Sequence, residues 1–166
     1  MRTRNTFWAL VAVYLLHAIV RFFDMPSGIL ATHFGLDGSA NGWMSSNSFL
    51  VFHCFMAVFI IGVRWFIAAT ARWQNGINMP SGYYELSISQ KQAFVSTMEH
   101  HSWNFGCLII GLFIAIDGLI LLANTNVPPS LPLVLGLVLT MVFLGGMGWW
   151  TITLLSAIQR IKKQNL

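Results

Sequence analysis

Four long apolar stretches restrict the fold of this chain more than any other feature. They cover residues 7–23, 49–70, 103–124 and 131–158. A helix rises about 1.5 Å per residue, so about 20 residues cross the roughly 30 Å hydrocarbon core of a bilayer. Only 8% of the residues are charged, against about a quarter in soluble domains. The sequence therefore predicts an all-α integral membrane protein, a four-helix bundle.

The basic residues lie at alternate connectors and predict the orientation of the helices. Arg2 and Arg4 precede the first stretch, and basic residues again follow the second and fourth stretches. The first and third connectors contain no lysine or arginine. Because cytoplasmic loops are enriched in these residues, we expect both termini in the cytoplasm and the protein in a bacterial inner membrane. The net charge of +4 follows this topology, so we expect the lipid bilayer as a partner and no nucleic acid.

No linker or repeat divides the chain, and residues 1–166 are predicted to form a single domain. Ser87 and Gln90 have the spacing of a capping box, in which the two residues satisfy each other's free backbone N–H groups. The third helix is therefore predicted to begin before the membrane, as a cytoplasmic extension. The four predicted helices cover residues 7–23, 49–70, 87–124 and 131–158.

The connector after the first helix carries the motif HFGLDGSANGW at residues 33–43. Asp37-Gly38 and Asn41-Gly42 both favour tight turns, because glycine adopts positive φ without steric cost. We expect a long structured outer loop that folds back over the bundle, and both a structural cap and a binding surface fit this pattern. The candidate recognition residues of this loop are His33, Phe34, Asp37, Gly38, Asn41 and Trp43.

Several polar residues fall within the predicted spans, where a central charge costs about 2.5 to 3.5 kcal/mol. His17, His53 and Asp117 lie at similar distances from the outer ends of their helices. Together with Arg21 they form a predicted intramembrane polar cluster, unless Arg21 turns outward to pair with Asp24. Interhelical hydrogen bonds, a haem b or metal site at His17 and His53, and a proton-responsive site all fit this cluster.

A second polar cluster is predicted near the cytoplasmic surface, from Arg64, Glu99, His100 and His101. Arg64 and Glu99 are expected to form an ion pair. A membrane enzyme would need the last three residues in one pocket, but neighbours on a helix point about 100° apart. The sequence contains no HExxH, CxxC or GxSxG motif, so we expect neither enzymatic activity nor a bound cofactor.

The outer loop also resembles a known family. The resemblance rests on Pro26 near the exit of the first helix and on His33-Phe34, Gly38, Asn41-Gly42-Trp43 and Ser45. This pattern is similar to the domain of unknown function 1648, which also forms the amino-terminal part of SdpI-like toxin-immunity membrane proteins. The segments INMPSGYYEL and LLANT extend the resemblance over most of the chain. Ser46 departs from it, since many members have a basic residue there, and so does Glu85, where tryptophan is common.

Together these features predict a non-enzymatic membrane protein that acts through protein or lipid contacts, with residues 33–43 as its outer recognition surface. An accessory subunit of a larger membrane complex and an SdpI-like immunity protein both fit this description. Its expected protein partners are other membrane subunits or a second copy of the chain. The alternative function is a haem- or metal-binding protein for redox or proton handling, which would use His17 and His53.

Overall fold

The structure is a computed structural model that describes residues 2–24, 28–73, 79 and 82–163. Its helices and strands are α1 (Arg2–Asp24), β1 (Ile29–Phe34), β2 (Ala40–Ser45), α2 (Ser46–Arg72), α3 (Ile88–Ala123) and α4 (Leu133–Lys163). All four helices are long and apolar enough to cross a membrane, which confirms the mostly helical fold with four candidate spans. Pro26, Pro80 and Ser81, which contribute to the family resemblance, lie outside the described residues.

Helix α3 is the centre of the arrangement because it packs against each of the other three helices. Helices α1 and α2 also pack on each other. The chain order defines two ends of the molecule, which we call the hairpin end and the terminal end. The hairpin end carries β1, β2 and the connector between α3 and α4, and the terminal end carries the start of α1 and the end of α4. In α4 only Ile161 is buried among the described residues, and the rest of this helix is half-buried or exposed.

The buried apolar residues form three layers along the bundle. The middle layer contains Phe7, Val11, Tyr14, Ala57, Ile60 and Ile110. The layer at the terminal end is formed by Ala71, Tyr83, Phe94 and Ile161, and the layer at the hairpin end by Ala18, Leu30 and Phe49. Leu30 belongs to β1, so the hairpin packs into the same core as the helices.

The start of α3 has the predicted capping box. The Ser87 hydroxyl accepts the Gln90 N–H, and the Gln90 side chain accepts the Ser87 N–H at 2.9 Å. Gln90 Nε2 also donates to the carbonyl of Ile161 at 2.8 Å. The same side chain therefore caps α3 and holds the end of α4 against it.

The connector after α1 forms an antiparallel β-hairpin. Asp37-Gly38 lies in its turn, as predicted, and Gly38 has a φ of +81°. The prediction of a second turn at Asn41-Gly42 was wrong, because both residues lie within β2. The pairing is irregular around His33, and a Cβ on Gly42 would lie only 2.9 Å from the His33 Cβ. Gly42 therefore permits a close approach of two strands at an irregular register.

The contact between α1 and α3 at Gly106 gives a test of this packing. A Cβ on Gly106 would lie 2.6 Å from Cε2 of the buried Phe7 ring, whereas a Cβ on Gly111 meets nothing within 4 Å. We expect Gly106→Ala to lower the free energy of unfolding by about 1 to 3 kcal/mol, as overpacking does. Gly111→Ala on the same helix should cause no loss. Thermal unfolding in detergent measures both variants, and equal stability of the two would contradict the packing of α1 on α3.

Candidate functional site

The hairpin is attached to the end of α3 by the side chain of Asn124. Asn124 Oδ1 accepts the Ala31 N–H at 3.0 Å, and Asn124 Nδ2 donates to the Ala31 carbonyl at 2.8 Å. Nδ2 also donates to the carbonyl of Ile120, in the last turn of α3. The amide thus pairs with β1 as a neighbouring strand would, and fixes this strand relative to α3.

Two further backbone contacts hold the hairpin at its turn and at its base. The Leu131 N–H donates to the Gly38 carbonyl at 2.8 Å, and a Cβ on Gly38 would lie 2.7 Å from the Leu131 carbonyl oxygen. The Ser46 N–H, at the start of α2, donates to the Gly28 carbonyl. Glycine is therefore required at position 38 for its conformation and for its contact, and the hairpin is anchored along its whole length.

The predicted recognition residues of this hairpin differ in their exposure. His33, Asp37, Asn41 and Trp43 are exposed, whereas Phe34 is half-buried and Gly38 is buried against Leu131. Leu36 in the turn is 99% exposed, and sequence analysis missed it because nothing in its own spacing distinguishes it from a core leucine. We define the hairpin surface as His33, Leu36, Asp37, Asn41 and Trp43.

Polar contacts within the hairpin orient the side chains of this surface. The His33 imidazole and the Asn41 side chain form a hydrogen bond between the two strands. In the turn, Asp37 Oδ1 accepts both the Ser39 hydroxyl at 2.7 Å and the Ser39 N–H at 3.0 Å. Both bonds favour the ionised carboxyl and hold the pKa of Asp37 below its ordinary value. The bond from the Ser39 hydroxyl contributes most. The turn therefore presents a fixed negative charge beside Leu36.

The second candidate site is the polar cluster inside the bundle, where His53 of α2 meets Asp117 of α3. His53 Nε2 lies 2.7 Å from Asp117 Oδ2, and both residues are more than nine-tenths buried. The other ring nitrogen, Nδ1, lies 2.7 Å from the carbonyl of Phe49. Both nitrogens of His53 are thus engaged, one with its own helix and one with α3.

Helix α1 contributes Tyr14, His17 and Arg21 to this cluster. The Tyr14 ring packs on the His53 ring with centroids 4.7 Å apart. Within the described parts of the chain, no hydrogen-bond partner is found for the buried Tyr14 Oη, His17 Nε2 and Arg21 Nε atoms. Asp117 is close enough to act electrostatically on both Tyr14 and His17. Tyr14 was not among the predicted residues, although its position three residues before His17 places it on the same helix face.

Two predictions about this cluster can be compared with its geometry. Over the described ranges, no ion pair joins Arg21 to Asp24. No group of three or more His, Cys, Asp or Glu side chains suited to a metal is found in the residues that the structure describes. A haem iron at His17 and His53 would need a free nitrogen on each ring, and His53 has none while it keeps its two hydrogen bonds. The donor set therefore does not fit the haem or metal alternative.

The cluster at the terminal end is an ion-pair network between α2 and α3. Glu99 accepts from Arg72 at 3.0 Å and lies 3.9 Å from Arg64, the predicted partner. The Arg64 guanidinium also lies 3.4 Å above the ring of Trp103, a cation–π contact. This network fixes the register of the two helices at the end opposite the hairpin.

The two adjacent histidines of α3 point in different directions, as predicted. His100 is exposed, while His101 is buried and packs near Trp150 of α4. Trp150 Nε1 donates to the His101 carbonyl at 2.9 Å. Glu99 faces the arginines of α2 instead, so Glu99, His100 and His101 do not line one pocket.

Comparisons with protein-family models, with curated proteins and with solved structures find no match to this chain. The functional argument therefore rests on the residues of the hairpin surface and of the buried polar cluster.

The attachment of the hairpin to α3 can be tested by Asn124→Ala. This variant removes both hydrogen bonds to Ala31, so we expect amide exchange of β1 to become at least about tenfold faster, which corresponds to about 1.4 kcal/mol of lost protection. Asn47→Ala, which removes an exposed amide from the start of α2, is the matched control and should leave β1 unchanged. Hydrogen exchange measured by mass spectrometry compares the two variants. Unchanged protection of β1 in Asn124→Ala would contradict the attachment of the hairpin to α3 through Asn124.

The bonds to Asp37 predict a pH dependence of the hairpin turn. Since folding lowers the pKa of this carboxyl, its ionised form stabilises the turn at pH values above the ordinary aspartate pKa. This stabilisation is lost as the pH falls through the lowered value. Ser39→Ala should raise the pKa of Asp37 towards its ordinary value, and Ser39→Thr, which keeps the hydroxyl, should not. Carboxyl carbon NMR titration measures this, and identical titration of the two variants would contradict the prediction.

Proposed function

We propose that this chain is a non-enzymatic, multi-pass protein of the bacterial inner membrane that binds another membrane protein through its hairpin surface. In this role it is an accessory subunit of a membrane complex or an SdpI-like immunity protein. The observation that carries the proposal is a rigidly attached hairpin that exposes a leucine and a tryptophan, with Leu36 99% and Trp43 59% exposed.

The distribution of basic residues supports an outward-facing hairpin. Arg2 and Arg4 lie at the terminal end, together with Arg72, Arg160 and Lys162 near the ends of α2 and α4. The hairpin and the connector between α3 and α4 contain no lysine or arginine. By the positive-inside rule, the terminal end faces the cytoplasm and the hairpin surface faces the outside.

The hairpin has the physical properties of a preformed binding surface. A ligand pays less conformational entropy to bind a segment that is already fixed, and the bonds to Asn124, Leu131 and Ser46 fix this one. Tryptophan is also among the residues that most often dominate the binding energy of an interface. Leu36 and Trp43 are therefore the expected anchors, with His33, Asp37 and Asn41 as polar contacts around them.

The resemblance of the hairpin motif to the domain of unknown function 1648 agrees with this proposal. The positions that carry the resemblance include both structural and exposed residues of the hairpin. Gly38 and Gly42 allow close backbone contacts, whereas His33, Asn41 and Trp43 are exposed. A motif that combines structural glycines with exposed side chains would preserve both the shape of the hairpin and the surface that it presents.

The test is the double variant Leu36→Ser and Trp43→Ser. Val127→Ser is the matched control, since Val127 is 98% exposed at the same end of the molecule but outside the hairpin surface. Each protein is crosslinked in native membranes, purified in mild detergent and analysed by quantitative mass spectrometry. We expect a stoichiometric companion with the unaltered chain and with Val127→Ser, and at least a tenfold reduction with the double variant, from about 2 kcal/mol of lost anchor energy. A companion retained by the double variant, or no companion at all, would overturn the proposal.

A further inference from the structure

A groove of about 400 Å³ lies between the hairpin, α3 and α4. One wall is a stripe of α3 at helical spacing, formed by Leu112, Ile116, Leu119 and Ile120. The opposite wall is a stripe of α4, formed by Gly136, Leu139, Thr140 and Phe143. Both helices are long and apolar enough to cross a membrane, and the two stripes lie in the halves nearest to the hairpin. The groove therefore runs along two candidate spans.

The walls of this groove suit hydrocarbon better than water. Thr140 is the polar member of the two stripes, and its hydroxyl donates to the Gly136 carbonyl at 2.9 Å. A bound water needs two to four polar partners, which these walls do not supply. An empty groove would lose the dispersion contacts of its lining atoms, so within a bilayer we expect an apolar group to fill it.

The size of the groove limits what this group is. At about 1.5 Å per residue, α3 rises about 12 Å from Leu112 to Ile120. This is close to the depth of one leaflet, about 15 Å of hydrocarbon. Spread over that length, the volume gives a mean cross-section of about 30 Å², whereas a helix about 10 Å wide occupies about 80 Å². The groove is thus too narrow for a helix of a partner or of a second copy, and it matches one hydrocarbon chain.

The hairpin gives the groove a polar end. Thr32 and His33 line it there, together with Phe34, and His33 is exposed. Asn41 Oδ1 faces His33 Nδ1, so this nitrogen donates, and Nε2 of the neutral ring is left as an acceptor. The Thr32 hydroxyl can accept as well. This end therefore favours a headgroup that carries N–H donors.

The charge around the groove favours the same kind of headgroup. Pockets that bind anionic lipid headgroups are basic. Among the described residues that line this groove there is no Lys or Arg, and residues 22–63 and 92–159 contain none. Arg21 belongs to α1, which does not line the groove. Asp37 adds a negative charge to the hairpin, so an ammonium group is attracted and an anionic headgroup is repelled.

We infer that the groove binds one acyl chain of an outer-leaflet phospholipid whose headgroup is a primary ammonium, with this ammonium at Thr32 and His33. The walls are fixed before the lipid binds, because Asn124 holds β1 to α3 and Ser39 pairs with Ser130 in the connector to α4. The inference uses the proposed placement of the helices in the membrane. It does not use the binding of a partner by the hairpin surface, so the absence of a companion protein would leave it standing.

The groove is tested by Gly136→Leu, with Gly145→Leu on the same helix as the matched control. A Cβ on Gly136 would lie 4.0 Å from Leu131 Cδ2, an ordinary contact, and a Cβ on the exposed Gly145 meets nothing within 4 Å. Each protein is delipidated in detergent, and native mass spectrometry measures the binding of added phosphatidylethanolamine. We expect one tightly bound lipid in the unaltered chain and in the control, and an affinity at least about tenfold lower in Gly136→Leu. Equal affinity of the two variants would overturn the inference.

The headgroup is tested with three phospholipids that share the same acyl chains. Phosphatidylethanolamine should bind at least about fivefold more tightly than phosphatidylcholine, which has no N–H, and than the anionic phosphatidylglycerol. His33→Phe removes the acceptor and should abolish the preference over phosphatidylcholine. Val127→Ser, which alters an exposed residue outside the groove, should keep it. Equal binding of the three lipids, or tighter binding of the anionic one, would overturn the assignment of the ammonium headgroup.

Photo-crosslinking of the unaltered protein in vesicles locates the lipid without any substitution. Phosphatidylethanolamine with a diazirine on its acyl chain is the probe, and the labelled residues are identified by mass spectrometry. We expect saturable labelling of residues 112–120 and 136–143, which unlabelled phosphatidylethanolamine suppresses and phosphatidylglycerol does not. Even labelling of all exposed helix faces, which would indicate bulk lipid only, would overturn the inference. So would a second copy of the chain or a partner protein crosslinked in the groove in place of the lipid.

Discussion

The bond between His53 and Asp117 is the interaction on which the arrangement of the helices depends. It joins α2 to α3 in the interior, where the Tyr14 ring of α1 packs against the same imidazole. A misplaced carboxyl or imidazole would lose this buried hydrogen bond, so the bond favours one register of α2 against α3. The apolar layers around the pair tolerate many registers by comparison, because their contacts are not directional.

The same constraint reaches the hairpin through α3. Asp117 and Asn124 are about two helical turns apart, so they lie on the same face of this helix. One of them fixes α3 relative to α2, and the other fixes β1 relative to α3. At the opposite end, Glu99 of α3 binds Arg72 and lies beside Arg64, both of which belong to α2. These contacts are a second polar connection between α2 and α3. The orientation of the hairpin surface is therefore determined by polar contacts along α3, together with the backbone bonds from Leu131 and Ser46.

Much of this structure could be predicted from the sequence, because the signals are local or depend on length. The four apolar stretches gave the helices, and Ser87 with Gln90 gave the start of α3. The hairpin could not be predicted, since its strands are short and its pairing depends on Asn124, which is 93 residues from Ala31 in the chain. The error at Asn41-Gly42 has the same cause. The dipeptide favours a turn locally, but the pairing with β1 decides its conformation.

In the candidate sites, too, the sequence could predict what depends on local spacing and length but not what depends on contacts between distant residues. Depth along the helices was enough to group His53 with Asp117, because consecutive spans run in opposite directions and each residue adds about 1.5 Å along its helix. Tyr14 was missed since tyrosine carries no charge at neutral pH, and only the packing of its ring on His53 places it in the cluster. His17 and Arg21 were grouped by helix face, and the sequence could not show that their buried nitrogens find no partner among the described residues. Three buried atoms without a described partner, Tyr14 Oη, His17 Nε2 and Arg21 Nε, lie on one face of α1, and this helix contacts the His53 ring through Tyr14. A polar group without a partner costs stability, and membrane proteins tolerate this cost mainly where the group has a function.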